Sequence, residues 1–180
     1  MSAPLRRVRV VGTSGAGKTT FARRLAEVLD VPYVELDEVF WDAGWVKRDR
    51  EAARADLAAR LAAPAWVVDG NWDSAAGDLL DAAADTVVWL DHPRRVVMRR
   101  VVRRSVHRGV TRTELWHGNR ESLRNLVRRD PHENIVLWAW TNHARVRERW
   151  EERAARPGPP VVRLTGPRAA RRWLREVAAR

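Results

Sequence analysis

Positions 12–19 read GTSGAGKT and match the phosphate-binding pattern G-x-x-x-x-G-K-[ST]. Glycines in such a loop let backbone N–H groups approach a phosphate, and the helix that follows directs its positive end at the same group. Lys18 would then reach the β- and γ-phosphates of a nucleotide, and the Thr19 hydroxyl would join the shell of a Mg²⁺ ion. A Gly-rich turn that merely precedes a helix is the alternative interpretation. We assign nucleotide binding to Gly12, Thr13, Ser14, Gly15, Ala16, Gly17, Lys18, Thr19 and Thr20.

Three aspartates follow apolar segments that predict strands: Asp37, Asp69 and Asp91. In open α/β sheets, ligands bind outside the carboxyl ends of the strands, which is where these carboxylates are expected. Next to a phosphate site, such groups hold Mg²⁺ or accept a proton from an acceptor. The alternative for each is a helix cap or a turn. We expect a functional role for Asp69, assign Asp37 as the catalytic base for a hydroxyl acceptor, and interpret Asp91 as a cap or lid-hinge residue.

An arginine-rich segment, residues 94–129, contains twelve arginines and two glutamates. If its first part is helical, Arg100 and Arg104 share one face at positions i and i+4, while Val97 and Val101 pack inward. Arginine binds phosphate oxygens bidentately and stays charged, so this pair suits catalysis of phosphoryl transfer. The later part would close over the site as a lid. A phosphate footprint on nucleic acid is the alternative, although the chain has no helix-turn-helix, RRM or zinc pattern.

Composition narrows the class of protein. The 180 residues carry a net charge of +11, which favours anionic ligands such as nucleotides, phosphorylated metabolites or nucleic acid. The absence of cysteine excludes disulfides and thiolate metal sites. No apolar run approaches the roughly 18 residues that a membrane span needs, and the N-terminus shows no apolar signal-peptide core. We expect a cytoplasmic protein with no membrane partner.

Predicted strands and helices alternate along the chain, which favours a parallel sheet covered on both faces. The predicted strands are 8–11, 33–37, 65–69, 85–91 and 161–165. The predicted helices are 17–29, 48–61, 74–83, 93–106, 131–156 and 167–180. We therefore predict an α/β fold with a five-stranded parallel sheet between helical layers, in one domain over residues 1–180. Its one long insertion, about 107–131, is polar and weakly periodic and is the predicted lid.

Several segments together resemble the P-loop nucleotide-kinase group with the adenylate kinase-like fold. They read GTSGAGKTT, WVVDGNW, ADTVVWLDHPRRVVMRRVVRRSVHRG, ELWHGNRES and LWAWTNHARVRERW. Within that group, the chain is similar to the FlaR-type DNA-topology-modulation or adenylate kinase-related branch. The resemblance implies a three-layer P-loop NTPase fold and the cofactors ATP and Mg²⁺. It implies that Asp69 orders the Mg²⁺ waters, that Arg100 and Arg104 face the transferred phosphoryl from the lid base, and that Arg112 and Arg120 lie in the lid and bind the nucleotide.

One departure leaves the acceptor open. Adenylate kinases follow their third strand with D-G-F-P-R, whose arginine holds the phosphate of the acceptor nucleotide, whereas this chain reads DGNWDS. Arg48 and Arg50 are candidates to replace that arginine. The sequence thus predicts an ATP- and Mg²⁺-dependent phosphotransferase, in which Lys18, Arg100 and Arg104 stabilise the transition state and the acceptor is a small molecule or a nucleoside monophosphate. A nucleic-acid-associated NTPase or DNA-binding protein and a nucleotide sensor without turnover are the alternatives.

Overall fold

The computed structural model describes residues 5–131 and 134–179. Residues 1–4, 132–133 and Arg180 lie outside the described residues. The predicted domain includes all of them, the predicted helix 131–156 includes residues 132–133, and the predicted last helix includes Arg180. The strands are β1 (Arg7–Val11), β2 (Tyr33–Glu35), β3 (Trp41–Asp42), β4 (Val46–Lys47), β5 (Trp66–Asp69), β6 (Thr86–Leu90) and β7 (Val161–Leu164). The helices are α1 (Lys18–Leu29), α2 (Leu36–Phe40), α3 (Arg50–Leu61), α4 (Asp73–Ala83), α5 (Arg94–Thr111), α6 (Ile135–Ala154) and α7 (Pro167–Ala178).

One sheet contains strands β2, β5, β1, β6 and β7 in that order, and all neighbouring pairs are parallel. Every residue of β5 and β6 is buried, because both faces of a parallel sheet are covered. Helices α1 and α7 pack on one face, and helices α3, α4 and α6 pack on the other. The predicted α/β fold with a five-stranded parallel sheet between helical layers is confirmed.

The central strand shows how the layers position the site. Successive side chains of a strand point to opposite faces, so Val10 packs in the cluster of Leu25 of α1 and Val11 packs in the cluster of Trp150 of α6. Both valines are fully buried. The chain therefore leaves β1 between two helical layers, at the carboxyl edge of the sheet, and the loop that begins at Gly12 opens there.

The prediction of a strand through Asp37 is wrong, because β2 ends at Glu35 and the chain turns directly into α2. Three apolar residues explain the turn: Leu36, Val39 and Phe40 lie at helical spacing, and all three are buried. A continued strand would place them on alternating faces instead. Asp37 is consequently in the first turn of a short helix.

Two elements differ from the predicted outline. Strands β3 and β4 form an antiparallel hairpin, with Trp41 opposite Lys47, and the sequence does not predict it. Helix α5 continues to Thr111, beyond its predicted end at Val106. The part of the predicted lid that is not helical therefore begins at Arg112, and we call residues 112–131 the lid segment.

The lid segment contains two short 3₁₀ turns, Trp116–Gly118 and Leu123–Val127. The next helix begins at Ile135 rather than at the predicted Pro131, because the Asn134 side chain caps its first turn by accepting from two backbone N–H groups. Within the described part of the chain, no helix combines the length and apolarity that a membrane crossing requires.

Candidate active site

The P-loop connects β1 to α1 and lies against α5. Gly15 has a φ of 86°, and a Cβ atom at this position would lie 2.8 Å from the carbonyl oxygen of Val97, so only glycine fits. Gly17 adopts a φ of 91° immediately before α1 begins at Lys18. Among the described residues, no side chain caps the first turn of α1. The N–H groups of this turn are therefore free to bind an anion, which the helix dipole also favours.

Lys18 lies within the loop, where its Nζ donates to the carbonyl oxygen of Thr13 at 3.4 Å. Burial lowers the pKa of Lys18 below its ordinary value, and the nearby charges of Asp69 and Asp37 act in the opposite direction. A desolvated ammonium gains stability when an anion binds beside it. The phosphate contact of Lys18 stays a prediction. Thr20, which we also assigned to nucleotide binding, is exposed in the same turn of α1.

Two buried carboxylates lie beside the loop. Asp69 ends β5, Glu35 ends β2, and the two residues are register partners in the sheet. Their exposed fractions are 2% and 6%. The Thr19 hydroxyl donates to Oε1 of Glu35 at 3.4 Å. Burial raises the pKa of Asp69 to about 6, and the charge of Glu35 adds to this effect, while Lys18 and a hydrogen bond from Thr19 oppose it.

The oxygen atoms of Thr19, Glu35 and Asp69 fit a hard divalent cation such as Mg²⁺. Two adjacent buried carboxylates repel each other, and a cation between them and the nucleotide phosphates would offset that repulsion. Among the described residues there is no group of three or more His, Asp or Glu side chains that could hold a metal alone. Mg²⁺ commonly takes only one or two protein ligands and completes its shell with water and phosphate oxygens, so this small donor set suits it.

Sequence reasoning missed Glu35, because the predicted strand boundary fell at Asp37. The structure shows that the two acids have different surroundings. Glu35 lies beside Thr19, whereas Oδ1 of Asp37 accepts a hydrogen bond from Nε1 of Trp72 at 2.8 Å. The charge of Asp37 also raises the pKa of Lys18 and of Arg104, so its carboxylate acts electrostatically on two cations of the phosphate site. The missed signal was the helical spacing of the apolar residues that follow Glu35.

The predicted arginine pair of α5 lies against the P-loop. Nη1 of Arg100 donates to the carbonyl oxygen of Ala16 at 2.8 Å, and Nη2 of Arg104 donates to Oγ of Ser14 at 3.0 Å. Burial lowers the pKa of both guanidinium groups, and the charge of Arg171 adds to the effect on Arg100.

The Nε atom of Arg104 is buried and has no hydrogen-bond partner among the described residues. An unpaired buried donor costs free energy unless an acceptor arrives. The valines predicted to pack inward, Val97 and Val101, are buried, and the neighbouring Arg99 and Arg103 are exposed. The side of α5 that faces the loop therefore presents two cations with unused donor capacity.

The other predicted residues lie elsewhere. Arg112 ends α5 with a φ of 49° and is exposed, and Arg120 forms an ion pair with Glu114 at 3.2 Å. Within the described part of the chain, neither guanidinium hydrogen-bonds to the P-loop, and their contact with a nucleotide stays a prediction. Asp91 is buried in an ion pair with Arg163 at 2.6 Å, which joins β6 to β7. This contact gives Asp91 a structural role.

Asn71 is a second residue that sequence reasoning missed. Its Nδ2 donates to the carbonyl oxygen of Gly12 at 2.7 Å, and its Oδ1 accepts from the Gly12 N–H at 3.3 Å. The amide thus pairs with the first residue of the P-loop as another backbone would. No local sequence pattern marks this contact, because it joins residues that are 59 positions apart. Asn71 therefore joins the end of β5 to the P-loop.

The lid segment contacts the β3–β4 hairpin. The Asn119 amide is 3% exposed; it accepts from the Trp45 N–H and donates to the Asp42 carbonyl oxygen, both at 2.9 Å. The Trp45 and Trp116 rings meet edge to face, with centroids 6.2 Å apart. The base of the lid is held by an ion pair between Arg108 of α5 and Glu121 at 2.8 Å. In this structure the lid segment and the hairpin are joined.

The candidate acceptor arginines already have partners. Arg48 forms an ion pair with Asp56 at 2.9 Å, and Nη2 of Arg50 donates to the carbonyl oxygen of Ser74 at 3.2 Å. The next arginine, Arg54, forms an ion pair with Asp78 at 2.7 Å. Before and in α3, carboxylates therefore pair with Arg48 and Arg54, while Arg50 bonds to a backbone carbonyl.

Comparisons with known proteins identify similar folds. The chain matches no protein-family profile. Among curated proteins, it is 42% identical over 52 residues to the ATP-dependent protease ATPase subunit HslU of Lactobacillus delbrueckii subsp. bulgaricus. That match covers 28% of this chain and 11% of the HslU chain, so it spans about a tenth of that protein. The similarity is confined to a local segment.

Solved structures match over nearly the whole chain. A shikimate kinase from Acinetobacter baumannii, in complex with shikimate, has a TM-score of 0.56 at 20% identity, covering 96% of this chain and 90% of that one. A gluconokinase from Sinorhizobium meliloti has a TM-score of 0.51 at 18% identity, covering 97% and 90%. A putative kinase from Chloroflexus aurantiacus has a TM-score of 0.52 at 16% identity, covering 96% of each chain. At such identities the likeness concerns the fold, and the FlaR-type branch stays a prediction. The protein has the α/β fold of the P-loop kinases.

Proposed function

We propose that the protein is an ATP- and Mg²⁺-dependent phosphotransferase that moves the γ-phosphoryl group of ATP to a hydroxyl group of a small molecule. The observation that carries this proposal is the convergence of Lys18, Arg100 and Arg104 on one phosphate-binding loop. Phosphoryl transfer requires positive charge around the migrating group, and water must be kept away from it. Three partly buried cations supply the positive charge, and the lid segment would exclude water.

Two observations favour a hydroxyl acceptor over a phosphate acceptor. The arginines before and in α3 that could hold an acceptor phosphate already have partners, as Arg48 has in Asp56. A carboxylate is also available near the phosphate site, because Asp37 acts electrostatically on both Lys18 and Arg104. A phosphate acceptor needs no base, whereas a hydroxyl acceptor does. The bound shikimate in the similar kinase structure is in line with a small acceptor.

In the proposed reaction, the acceptor oxygen attacks the γ-phosphorus while the bond from this phosphorus to the β,γ-bridging oxygen breaks. Asp37 accepts the hydroxyl proton, and Lys18 with the P-loop N–H groups holds the phosphates in line. The Arg100 and Arg104 guanidinium groups stabilise the charge on the equatorial oxygens. A Mg²⁺ ion, which Thr19 and Asp69 would hold with Glu35, would neutralise charge on the β- and γ-phosphates. We keep Arg112 and Arg120 of the lid segment as proposed nucleotide ligands.

A transfer assay tests the proposal. ATP labelled at the γ-phosphate is incubated with Mg²⁺, the protein and a panel of polyols, other hydroxyl metabolites, nucleosides and nucleoside monophosphates. We expect label on a hydroxyl compound with the wild-type protein and none with Lys18→Ala. Label on a nucleoside monophosphate would refute the acceptor class. No transfer to any compound by a protein that binds ATP would favour the sensor alternative.

The variant Asp37→Asn then examines the base. Asparagine still accepts the Trp72 hydrogen bond through Oδ1 but cannot take a proton, so we expect kcat to fall by about 10²- to 10⁴-fold. Glu38→Gln is the matched control, because Glu38 is the exposed neighbour in α2 and should leave kcat unchanged. A loss of less than threefold in Asp37→Asn would show that Asp37 is not the base.

Nucleic-acid binding is a second candidate function, and a row of exposed arginines on α5 favours it. Arg95, Arg99 and Arg103 are exposed at intervals of four residues along α5, which forms a positive row on the surface. Such a row would bind a polyanion such as nucleic acid, with an affinity that falls steeply with salt. This binding would survive Lys18→Ala, whereas phosphoryl transfer would not.

A further inference from the structure

We propose that Tyr33 is a positioning residue, whose hydroxyl holds the Asp69 carboxylate in the orientation that Mg²⁺–nucleotide binding needs. The phenol donates to Oδ2 of Asp69 at 3.0 Å. Tyr33 is the single tyrosine of the chain. The inference rests on the proposed function, because it concerns the same metal-nucleotide site.

The sheet geometry aims the phenol at this carboxylate. Tyr33 pairs with Val67 and Glu35 pairs with Asp69, so β2 and β5 run in register at the site. Side chains two residues apart in a strand point to the same face, which places Tyr33 and Glu35 on one side of β2. From there the phenol reaches along the strand direction to Asp69.

The hydrogen bond matters because Asp69 has a competing partner. Lys18 is close enough to act electrostatically on Asp69, and Asp69 is 2% exposed, so water cannot readily replace a lost partner. A carboxylate freed from Tyr33 would turn toward the Lys18 ammonium and form an ion pair. Such a pair would withdraw Asp69 from the metal and Lys18 from the phosphates. By holding Oδ2, Tyr33 keeps these two charges in separate roles.

Arg23 packs against the Tyr33 ring in a cation–π contact. The Cζ atom of Arg23 lies 5.3 Å from the centre of the Tyr33 ring, and Nη2 of Arg23 donates to Oε2 of Glu35 at 3.1 Å. Oε1 of the same Glu35 accepts from the Thr19 hydroxyl. Arg23 therefore contacts both Tyr33 and Glu35. Tyr33 belongs to a network of contacts around the carboxylates that are proposed to bind Mg²⁺. Groups of this kind, which orient metal ligands, affect metal affinity strongly when they are removed.

The experiment measures binding without turnover. Titration calorimetry gives the Kd of ADP with and without Mg²⁺ for the wild-type protein, for Tyr33→Phe and for Thr141→Val, a control that removes an exposed hydroxyl on α6. We expect Mg²⁺ to strengthen ADP binding in the wild-type protein and in the control. In Tyr33→Phe we expect ADP to bind more weakly without Mg²⁺, because Lys18 is drawn to Asp69, and we expect the strengthening by Mg²⁺ to be smaller by about tenfold or more.

A second readout uses the single tyrosine. Protein that carries ¹³C at the tyrosine Cζ gives one resonance, and we expect it to shift when Mg²⁺ is added to the ADP complex. A resonance whose chemical shift does not change when Mg²⁺ is added would overturn the inference. So would a Tyr33→Phe variant with the full Mg²⁺ effect, or one in which ADP binding weakens equally with and without Mg²⁺. If the wild-type protein does not bind ADP at all, the proposed function itself fails.

Discussion

Replacing Arg104 with methionine should separate activity from stability. The buried Nε of Arg104 has no partner in the described part of the chain, and such an unpaired donor costs about 1–3 kcal/mol. The hydrogen bond from Nη2 to Ser14 returns about 1.5–3 kcal/mol, the range for bonds to charged groups. Methionine removes both contributions and keeps much of the apolar stem. Taken at the middle of each range, the two contributions nearly cancel, and we expect the free energy of unfolding to change by about 1 kcal/mol or less.

The effect on phosphoryl transfer should be much larger. The guanidinium lies beside the P-loop, where charge develops on the transferred group, and the loss of one such donor typically lowers kcat by about 10²- to 10³-fold. Urea denaturation measures the stability, and transfer of labelled γ-phosphate measures the rate. A melting temperature within about 4 °C of the wild-type value corresponds to the expected change in stability for a chain of this length.

The matched control is Arg103→Met. Arg103 is adjacent in α5 but exposed, so both its stability and its rate should stay near the wild-type values. The reasoning is refuted if Arg104→Met lowers the free energy of unfolding by more than about 3 kcal/mol while the transfer rate is retained. Arg104 would then be a structural cation and not a catalytic one.

Two further predictions concern the end of β5. Burial raises the pKa of Asp69 from 3.8 to about 6, so the folded protein binds the proton more tightly than the unfolded chain and loses stability from this group as the pH rises from about 4 to 6. Asp69→Asn should therefore be more stable than the wild-type protein above pH 6, by up to about 3 kcal/mol, and equal to it near pH 4. Urea denaturation across this range checks the prediction, and a difference that does not vary with pH would contradict it. A Cβ atom on Gly70, whose φ is 137°, would lie 2.7 Å from Cβ of Leu36, so Gly70→Ala should lose about 2–4 kcal/mol in the same assay. Gly44→Ala has open space and should lose only about 1 kcal/mol, and equal losses in both variants would disprove the clash.

Local spacing carried much of the sequence prediction. Three predictions depend on residues that are close together in the chain: the P-loop, the strand end at Asp69, and the i, i+4 placement of Arg100 and Arg104. In the structure, β5 ends at Asp69, and both arginines bond to the P-loop. The sheet followed from the alternation of apolar strands with helices. These features required no knowledge of distant contacts.

The sequence did not predict contacts between segments that are distant in the chain. Glu35 enters the site because three apolar residues after it fold as a helical turn, which competes with the continued strand that its own segment suggests. Asn71 acts through a pair of hydrogen bonds to Gly12, 59 positions away, and no local pattern marks such a bond. Strands β3 and β4 have two residues each, too few for alternation to be visible.

The Asn119 amide has a consequence for the order of events during turnover. Because it bonds to both Asp42 and Trp45, the lid segment cannot rise without either taking the hairpin with it or breaking these two hydrogen bonds. Under the proposed function, a hairpin that travels with the lid segment would uncover the nucleotide and the acceptor in one motion. We therefore expect a single slow opening step to limit the release of both products, with no separate exit for either.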